Sequence, residues 1–238
     1  MEMTRLDVSG IPGTNGYCDE DAYRAIKQKM DAEGITPFGV RFLGNGNYHY
    51  LSYLVTEMIA EPYTLVLFDH HPDLRAPAFG DILSCGGWVR DALRKQKHLT
   101  QVVMCGVDAA LYAEETALTE DARVCLCGEL SETGILSVIL EAYPVFLSID
   151  KDVLATDEVC TNWDQGEMSL QMLLALVSAI CENRRVIGAD VCGAPAESER
   201  DRAVCPSCVF GSVRDETHGD RSRAVDEAVL NVLKISSR

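Results

Sequence analysis

The sequence predicts an α/β protein, a three-layer α/β/α sandwich on a mostly parallel central sheet. Three observations lead there. Short apolar runs alternate with longer amphipathic stretches along the chain, the signature of strand–helix–strand units. The run Leu65-Val66-Leu67-Phe68 is apolar at every position, as in a strand buried on both faces. Several runs end in His and Asp, and a parallel sheet gathers its functional groups beyond the carboxyl ends of its strands. A length of 238 residues without repeat or linker suits one domain over residues 1–238.

Taken in order, Leu6–Val8 reads as a first strand and Ser9–Gly16 as a loop that can border a site. Asp19 or Asp21 caps a helix to about Glu33. Phe38–Leu43 is a strand running into Gly44-Asn45-Gly46-Asn47-Tyr48-His49, with a helix over about Leu51–Ala60. The glycines let the backbone approach something closely. The next strand ends in Asp69-His70-His71-Pro72-Asp73, followed by a helix over about Val89–Lys97. Strands are expected over Gln101–Gly106, with Val107-Asp108 as its exit, and Arg123–Cys127; a helix over Ser131–Ala142 leads to the strand Val145–Leu154. Ser169 caps an amphipathic helix to Asn183, whose apolar stripe is core. Arg185–Val191 is the last strand, Glu197–Arg221 a polar loop, and Ser222–Lys234 a final helix.

Composition narrows the function. The net charge of −16 lacks the basic footprint of a nucleic-acid binder and would be repelled by anionic membranes. The stretch around Leu170–Cys181 is too short to cross a bilayer. Met1–Arg5 shows no secretory pattern, so a cytoplasmic protein with ten reduced cysteines is expected. Cys205-Pro206-Ser207-Cys208 is the sole C-x-x-C, and Cys125/Cys127 has the wrong spacing for a second zinc-binding pair.

The chemistry sits at two strand ends. In an extended chain, residues two apart share a face, so Asp69, His71 and Asp73 converge while His70 points behind. Asp150 and Asp152 do the same within Val145–Leu154. Packing aspartates together without a cation is repulsive. His49, near a helix start where a charged imidazole is disfavoured, suits a neutral metal ligand. An oxygen-rich set with two imidazoles and no thiolate suits manganese better than structural zinc.

These three segments resemble the ureohydrolase family of arginase, agmatinase and formimidoylglutamase. Gly44–His49 is similar to its glycine-rich turn ending in histidine, Asp69–Asp73 to its D-A-H-x-D, and Ser148–Asp152 to its S-x-D-x-D. The resemblance implies an arginase-like fold and two Mn2+ per chain. One ion would be held by His49, Asp69, Asp73 and Asp150, the other by Asp69, His71, Asp150 and Asp152. It implies a metal-bridging hydroxide that attacks a guanidino or amidino carbon and cleaves a non-peptide C–N bond. The partner it implies is a small-molecule or peptide substrate, with a homo-oligomer left open. Asp73 and Cys85 are assigned to catalysis, Cys85 standing where the family carries a proton-shuttling histidine. Gly193 stands where the family carries a glutamate that meets the guanidinium; Asn162 and Glu197 (or Glu199) are the residues left to contact substrate. Two alternatives remain: a metal-binding protein of this fold without turnover, and a single-zinc deacetylase-type amidohydrolase.

Overall fold

The computed structural model describes residues 2–77, 80–119, 121–195 and 216–235. Its centre is a seven-stranded sheet in the order β1-β3-β9-β8-β4-β6-β7, every pairing parallel. The strands are β1 (Met3–Arg5), β3 (Gly39–Phe42), β4 (Tyr63–Phe68), β6 (Leu99–Cys105), β7 (Val124–Leu126), β8 (Val145–Asp150) and β9 (Val186–Cys192). A separate antiparallel ladder joins β2 (Tyr17–Cys18) to β5 (Leu83–Ser84). The helices are α1 (Glu20–Ala32), α2 (Leu51–Thr56), α3 (Trp88–Lys95), α4 (Ala109–Thr119), α5 (Glu132–Val138), α6 (Leu170–Asn183) and α7 (Glu216–Ile235). Among the described residues, no helix is long and apolar enough to cross a membrane.

Strand alternation sorts the core into two halves. Leu65 and Leu67 of β4 pack with α1, α2 and α3 through residues such as Ile26, Leu54 and Trp88. Val66 and Phe68 pack on the other face with Leu173, Leu176 and Val177 of α6 and Val225, Val229 and Leu233 of α7. Each such fully buried side chain contributes roughly 1.5–3 kcal/mol relative to exposure. With helices on both faces, the central strands have no wet side, which is why Tyr63–Phe68 is buried throughout.

Chain order fixes where a site belongs. After β4 the chain builds outward through β6 and β7, then returns to β8 and β9 on the other side of β4. The direction therefore reverses between β4 and β8, and open parallel sheets bind ligands in the crevice at such a reversal.

Several expected boundaries move. The first strand is Met3–Arg5 and not Leu6–Val8, because Asp7 turns the chain by accepting Ser9 N–H and Oγ–H. Asp108 is the cap of a helix that the sequence reading left out: its Oδ1 accepts Ala110 and Leu111 N–H, both at 2.9 Å. α2 closes at Thr56, short of Ala60. α5 ends at Val138 because Ile139 is extended and Leu140 N–H turns to Gln101 Oε1. Residues 216–221, read as loop, are the first turns of α7. Glu197, Glu199, Cys205 and Cys208 lie outside the described residues.

Candidate metal centre

Three strand exits build the site. After β3, a 3-10 turn over Gly46–Tyr48 is started by Asn45, whose side chain accepts Asn47 N–H at 3.0 Å. The turn delivers His49 to the sheet's rim just before α2. Gly46 has no alternative: a Cβ there would lie 2.6 Å from Trp163 Cδ1 and 3.3 Å from Asp150 Oδ2. The loop at residues 9–16 lies behind this turn, with Asn15 Oδ1 accepting Asn47 Nδ2–H and Thr14 O accepting Tyr50 O–H.

The β4 exit brings Asp69, His71 and Asp73 together, but not by staying extended. Asp73 has φ +52°, the one described non-glycine residue with positive φ. This left-handed conformation costs about 1–3 kcal/mol. Its surroundings hold it: Asp73 O accepts Val89 and Arg90 N–H at the start of α3, and Leu74 N–H is accepted by the buried Glu115. His70 supports the cluster from outside the cavity: its backbone N–H donates to Asp152 Oδ1 at 3.1 Å and its ring lies edge-on to His71 at 5.1 Å.

The β8 exit is a second 3-10 turn, Lys151–Val153, capped by Asp150, whose Oδ1 accepts Asp152 N–H at 3.0 Å. Asp150 and Asp152 point into the rim crevice. Lys151 is buried and directed away, donating to Ser222 Oγ and Asp226 Oδ1 of α7, both at 2.7 Å.

The six side chains meet in two groups that share Asp69. His49 Nδ1 lies 3.2 Å from Asp69 Oδ2, 3.1 Å from Asp73 Oδ2 and 3.5 Å from Asp150 Oδ2. His71 Nδ1 lies 3.0 Å from Asp152 Oδ2 and 3.5 Å from Asp69 Oδ1. The potential ligand atoms of His49, Asp69 and Asp73 lie within 4.8 Å of one another, as do those of Asp69, His71 and Asp152, while Asp150 groups with His49 and the Cys192 thiol. All four aspartates are at most 5% exposed. Like charges about 4 Å apart repel by about 4 kcal/mol at an effective dielectric near 20, so this packing calls for positive charge.

The protonation equilibria say the same. Burial and the Asp69 charge push the Asp73 carboxyl up to about 7. Burial and the same charge raise Asp150, and burial with Asp150 and Asp69 raises Asp152 well above the usual range. Burial would raise Asp69 too, but its contacts with His49 and His71 hold it below the usual range. Burial would depress both histidines; Cys192, Asp69 and Asp73 raise His49 instead, and Asp152, Asp164 and Asp69 raise His71. Protons thus gather where cations fit. Asp69 Oδ2 and Asp73 Oδ2 are buried with no donor in hydrogen-bond geometry, although each faces His49 Nδ1. Such orphaned carboxylate oxygens fit a divalent ion, and the oxygen-rich set with one imidazole per group fits Mn2+.

The remaining expected residues fall as follows. Cys85 lines the same small cavity, about 60 Å3, together with Arg75, Gly86, Glu115 and Trp163. Burial and the Asp73 charge push its thiol up to about 12. Asn162 is buried and committed to the glycine-rich turn, accepting Gly46 N–H at 3.1 Å and donating to Asn47 Oδ1 at 2.8 Å. Gly193 has φ +80°, and a Cβ there would lie 2.3 Å from Asp150 Oδ1.

Four contributors escaped the sequence reading. Ser148 Oγ contacts His49 Nε2 at 2.9 Å and donates to Asp190 Oδ1 at 2.7 Å. Cys192 Sγ donates to Asp150 Oδ2 at 3.0 Å, its thiol pushed up by burial and by Asp150. Asp164 meets His71 Nε2 at 3.2 Å. Ser148 and Asp190 are both polar residues inside apolar strand runs, a signal that could have been read.

Comparison with known proteins follows the same lines. Residues 18–202 match the model of the arginase family. An uncharacterised protein of Thermotoga maritima is 39% identical over 176 residues, covering 73% of this chain and 66% of the relative, so the chain spans just under two thirds of that protein. Formimidoylglutamase from Bacillus subtilis superposes with a TM-score of 0.60 at 18% identity, over 90% of this chain and 67% of its own. A variant of Trypanosoma cruzi formiminoglutamase with Mn2+ gives a TM-score of 0.63 at 14% identity, over 92% and 72%. Proclavaminate amidino hydrolase from Streptomyces clavuligerus gives 0.58 at 18% identity, over 84% and 64%. Matched across more than three quarters of its length and sharing the fold of these enzymes, the chain belongs to the arginase family.

Proposed function

We propose that this protein is a hydrolase that uses two Mn2+ ions to cleave a non-peptide C–N bond in a guanidino or amidino substrate. One observation carries the reading. The two oxygens of Asp69 face different histidines, Oδ2 toward His49 and Oδ1 toward His71, the arrangement of a carboxylate that bridges two ions. His49, Asp73 and Asp150 would complete one side, His71 and Asp152 the other. Two ions matched to four carboxylates leave the cage near neutrality, within a cavity of about 60 Å3.

When bound, such a metal pair supplies an activated water and polarises the bond under attack. The chain's own residues do the rest. His49 and His71 aim Nδ1 into the cage. Asp73, held in its left-handed turn, closes the inner side. Trp163 covers Gly46 and forms the wall beside His71, at 5.7 Å and 73° between rings. Cys85, on the wall of the same cavity, would hold a proton next to the reacting atoms.

The test is release of urea or ammonia by Mn2+-loaded protein, screened over arginine, agmatine, guanidinobutyrate, formimidoylglutamate and arginine-containing peptides. Turnover of none of them removes the reading. A second reading, tight metal binding without turnover, is favoured by Cys85 and by the lack of space for a glutamate side chain at Gly193. Its mark is Mn2+ uptake and thermal stabilisation with no product. A metal content near one zinc per chain would instead point to the deacetylase-type alternative.

A further inference from the structure

We infer that Asp164 is the positioning residue of His71: it accepts the Nε2 proton and thereby frees Nδ1 for the second metal ion. The inference rests on the two-ion reading above. A neutral imidazole carries one N–H and one lone pair. If Nδ1 of His71, 3.0 Å from Asp152 and 3.5 Å from Asp69, gives its lone pair to an ion, the proton must sit on Nε2. What Nε2 meets is Asp164 Oδ1 at 3.2 Å. His70 does not take this carboxylate away, because its Nε2 is 3.9 Å from Asp164 Oδ2, beyond hydrogen-bond distance.

His49 has the same problem and a different solution. Its Nε2 meets Ser148 Oγ, whose own hydrogen goes to Asp190. The two imidazoles are therefore aimed alike, one by a buried serine–aspartate relay and the other by a carboxylate at the cavity mouth. Histidine ligands characteristically give their outer N–H to such a partner, which fixes the tautomer and the ring's direction.

Asp164 can do this from a loop because its neighbours are anchored. Asn162 binds Gly46 and Asn47, and Trp163 Nε1–H donates to Asn47 Oδ1 at 2.9 Å. On the other side, Gln165 Nε2–H donates to Leu154 O and Val159 O, and Gly166 N–H to Asp152 O at 2.7 Å. The segment Asn162–Gly166 thus ties the turn that carries His49 to the turn that carries Asp152, and sets Asp164 against His71 between them.

The experiment titrates Mn2+ into metal-free full-length protein, by calorimetry and by electron paramagnetic resonance. The wild-type chain should take up two ions with the broadened spectrum of a coupled pair. Asp164→Ala should keep one ion and bind the other about 10–100-fold more weakly, showing an isolated six-line spectrum at one equivalent. Asp164→Glu should restore most of the second affinity, which a loss of loop packing alone would not predict. Asp164→Leu, similar in size and without an acceptor, serves in place of alanine if that variant fails to fold. Wild-type affinity for both ions in a folded Asp164→Ala overturns the assignment, as does equal weakening of both ions. A wild-type chain that takes up fewer than two ions sinks the dinuclear reading itself, and this assignment with it.

Discussion

Gly193→Ala is the sharpest perturbation the structure offers. Gly193 follows β9 with φ +80°, and holding a side-chain-bearing residue there costs about 1–3 kcal/mol. The new Cβ would also lie 2.3 Å from Asp150 Oδ1, 2.7 Å from Lys151 N and 3.0 Å from Lys151 Cβ. Lys151 N belongs to the backbone of the β8 exit, so relief requires that exit to shift or Asp150 to swing away. Shifts forced by overpacking typically cost another 1–3 kcal/mol or so. Together these give roughly 2–6 kcal/mol, and a domain of this size loses about 2–4 °C per kcal/mol. The metal-free variant should melt at least about 4 °C below wild type. Because the displaced group is Asp150, Mn2+ uptake should weaken in the same variant. Thermal melts and Mn2+ calorimetry check both. A melt within about 2 °C of wild type with unchanged Mn2+ uptake would refute the reasoning. Gly193→Glu should behave no better, so this chain cannot regain a guanidinium-facing glutamate by that one substitution.

Three further outcomes follow from the same site. Asp226→Ala leaves the buried Lys151 ammonium with Ser222 as its one remaining side-chain partner among those described; breaking a buried pair on one side costs about 3–5 kcal/mol, seen as a lower denaturation midpoint, and it should loosen Mn2+ through Asp150 and Asp152. Ser148→Ala removes the relay between His49 Nε2 and Asp190, and should weaken Mn2+ about 10–100-fold while the metal-free protein loses about 1–3 kcal/mol of stability for the buried groups left unpaired, read from denaturant melts. Above the ordinary carboxyl value of 3.8 the stability of the metal-free protein should fall as pH rises, while below it the depressed Asp69 and Asp164 act in the opposite sense. Asp73, raised from 3.8 to about 7, binds its proton more tightly folded than unfolded, so its contribution is lost between those values. His49 and His71, both raised above 6.5, lose theirs as pH climbs through their folded values. Mn2+ displaces these protons, so its stabilisation should grow over the same range and its binding should release protons, measurable by calorimetry in buffers of different ionisation heat; no release would contradict the assignment.

The fold was legible because the signals that set it are local and repeated. Apolar runs such as Leu65–Phe68 and Val145–Ile149 have one physical use, as strands covered on both faces. What the sequence hid was decided by single side chains competing with backbone. Asp108 could be a strand exit or a helix cap, and only its bonds to Ala110 and Leu111 distinguish them. Asp7 ended a ladder that the apolar pattern would have continued.

The convergence of these six side chains was legible for a different reason: aspartates packed this densely at strand ends repel unless cations or protons join them, so three such segments together carried meaning. Their aim was not legible. Alternation predicted that Asp69, His71 and Asp73 share a face because the chain is extended, yet they converge through a left-handed turn at Asp73. The groups that orient the imidazoles lie far away in sequence. Ser148 is 99 residues from His49, and Asp164 is 93 from His71. Ser148 shows itself as a polar residue in an apolar strand, but nothing local names His49 as its partner, and an aspartate within a polar loop is ordinary in itself. It follows that identity of the cage motifs and competence of the cage are separable properties. A chain could keep all six inward-facing residues and still bind metal poorly if its counterpart of Asp164 or Ser148 were lost. That separation is why metal affinity in the outer-partner variants, rather than further matching of the motifs, decides how far the family's chemistry extends to this protein.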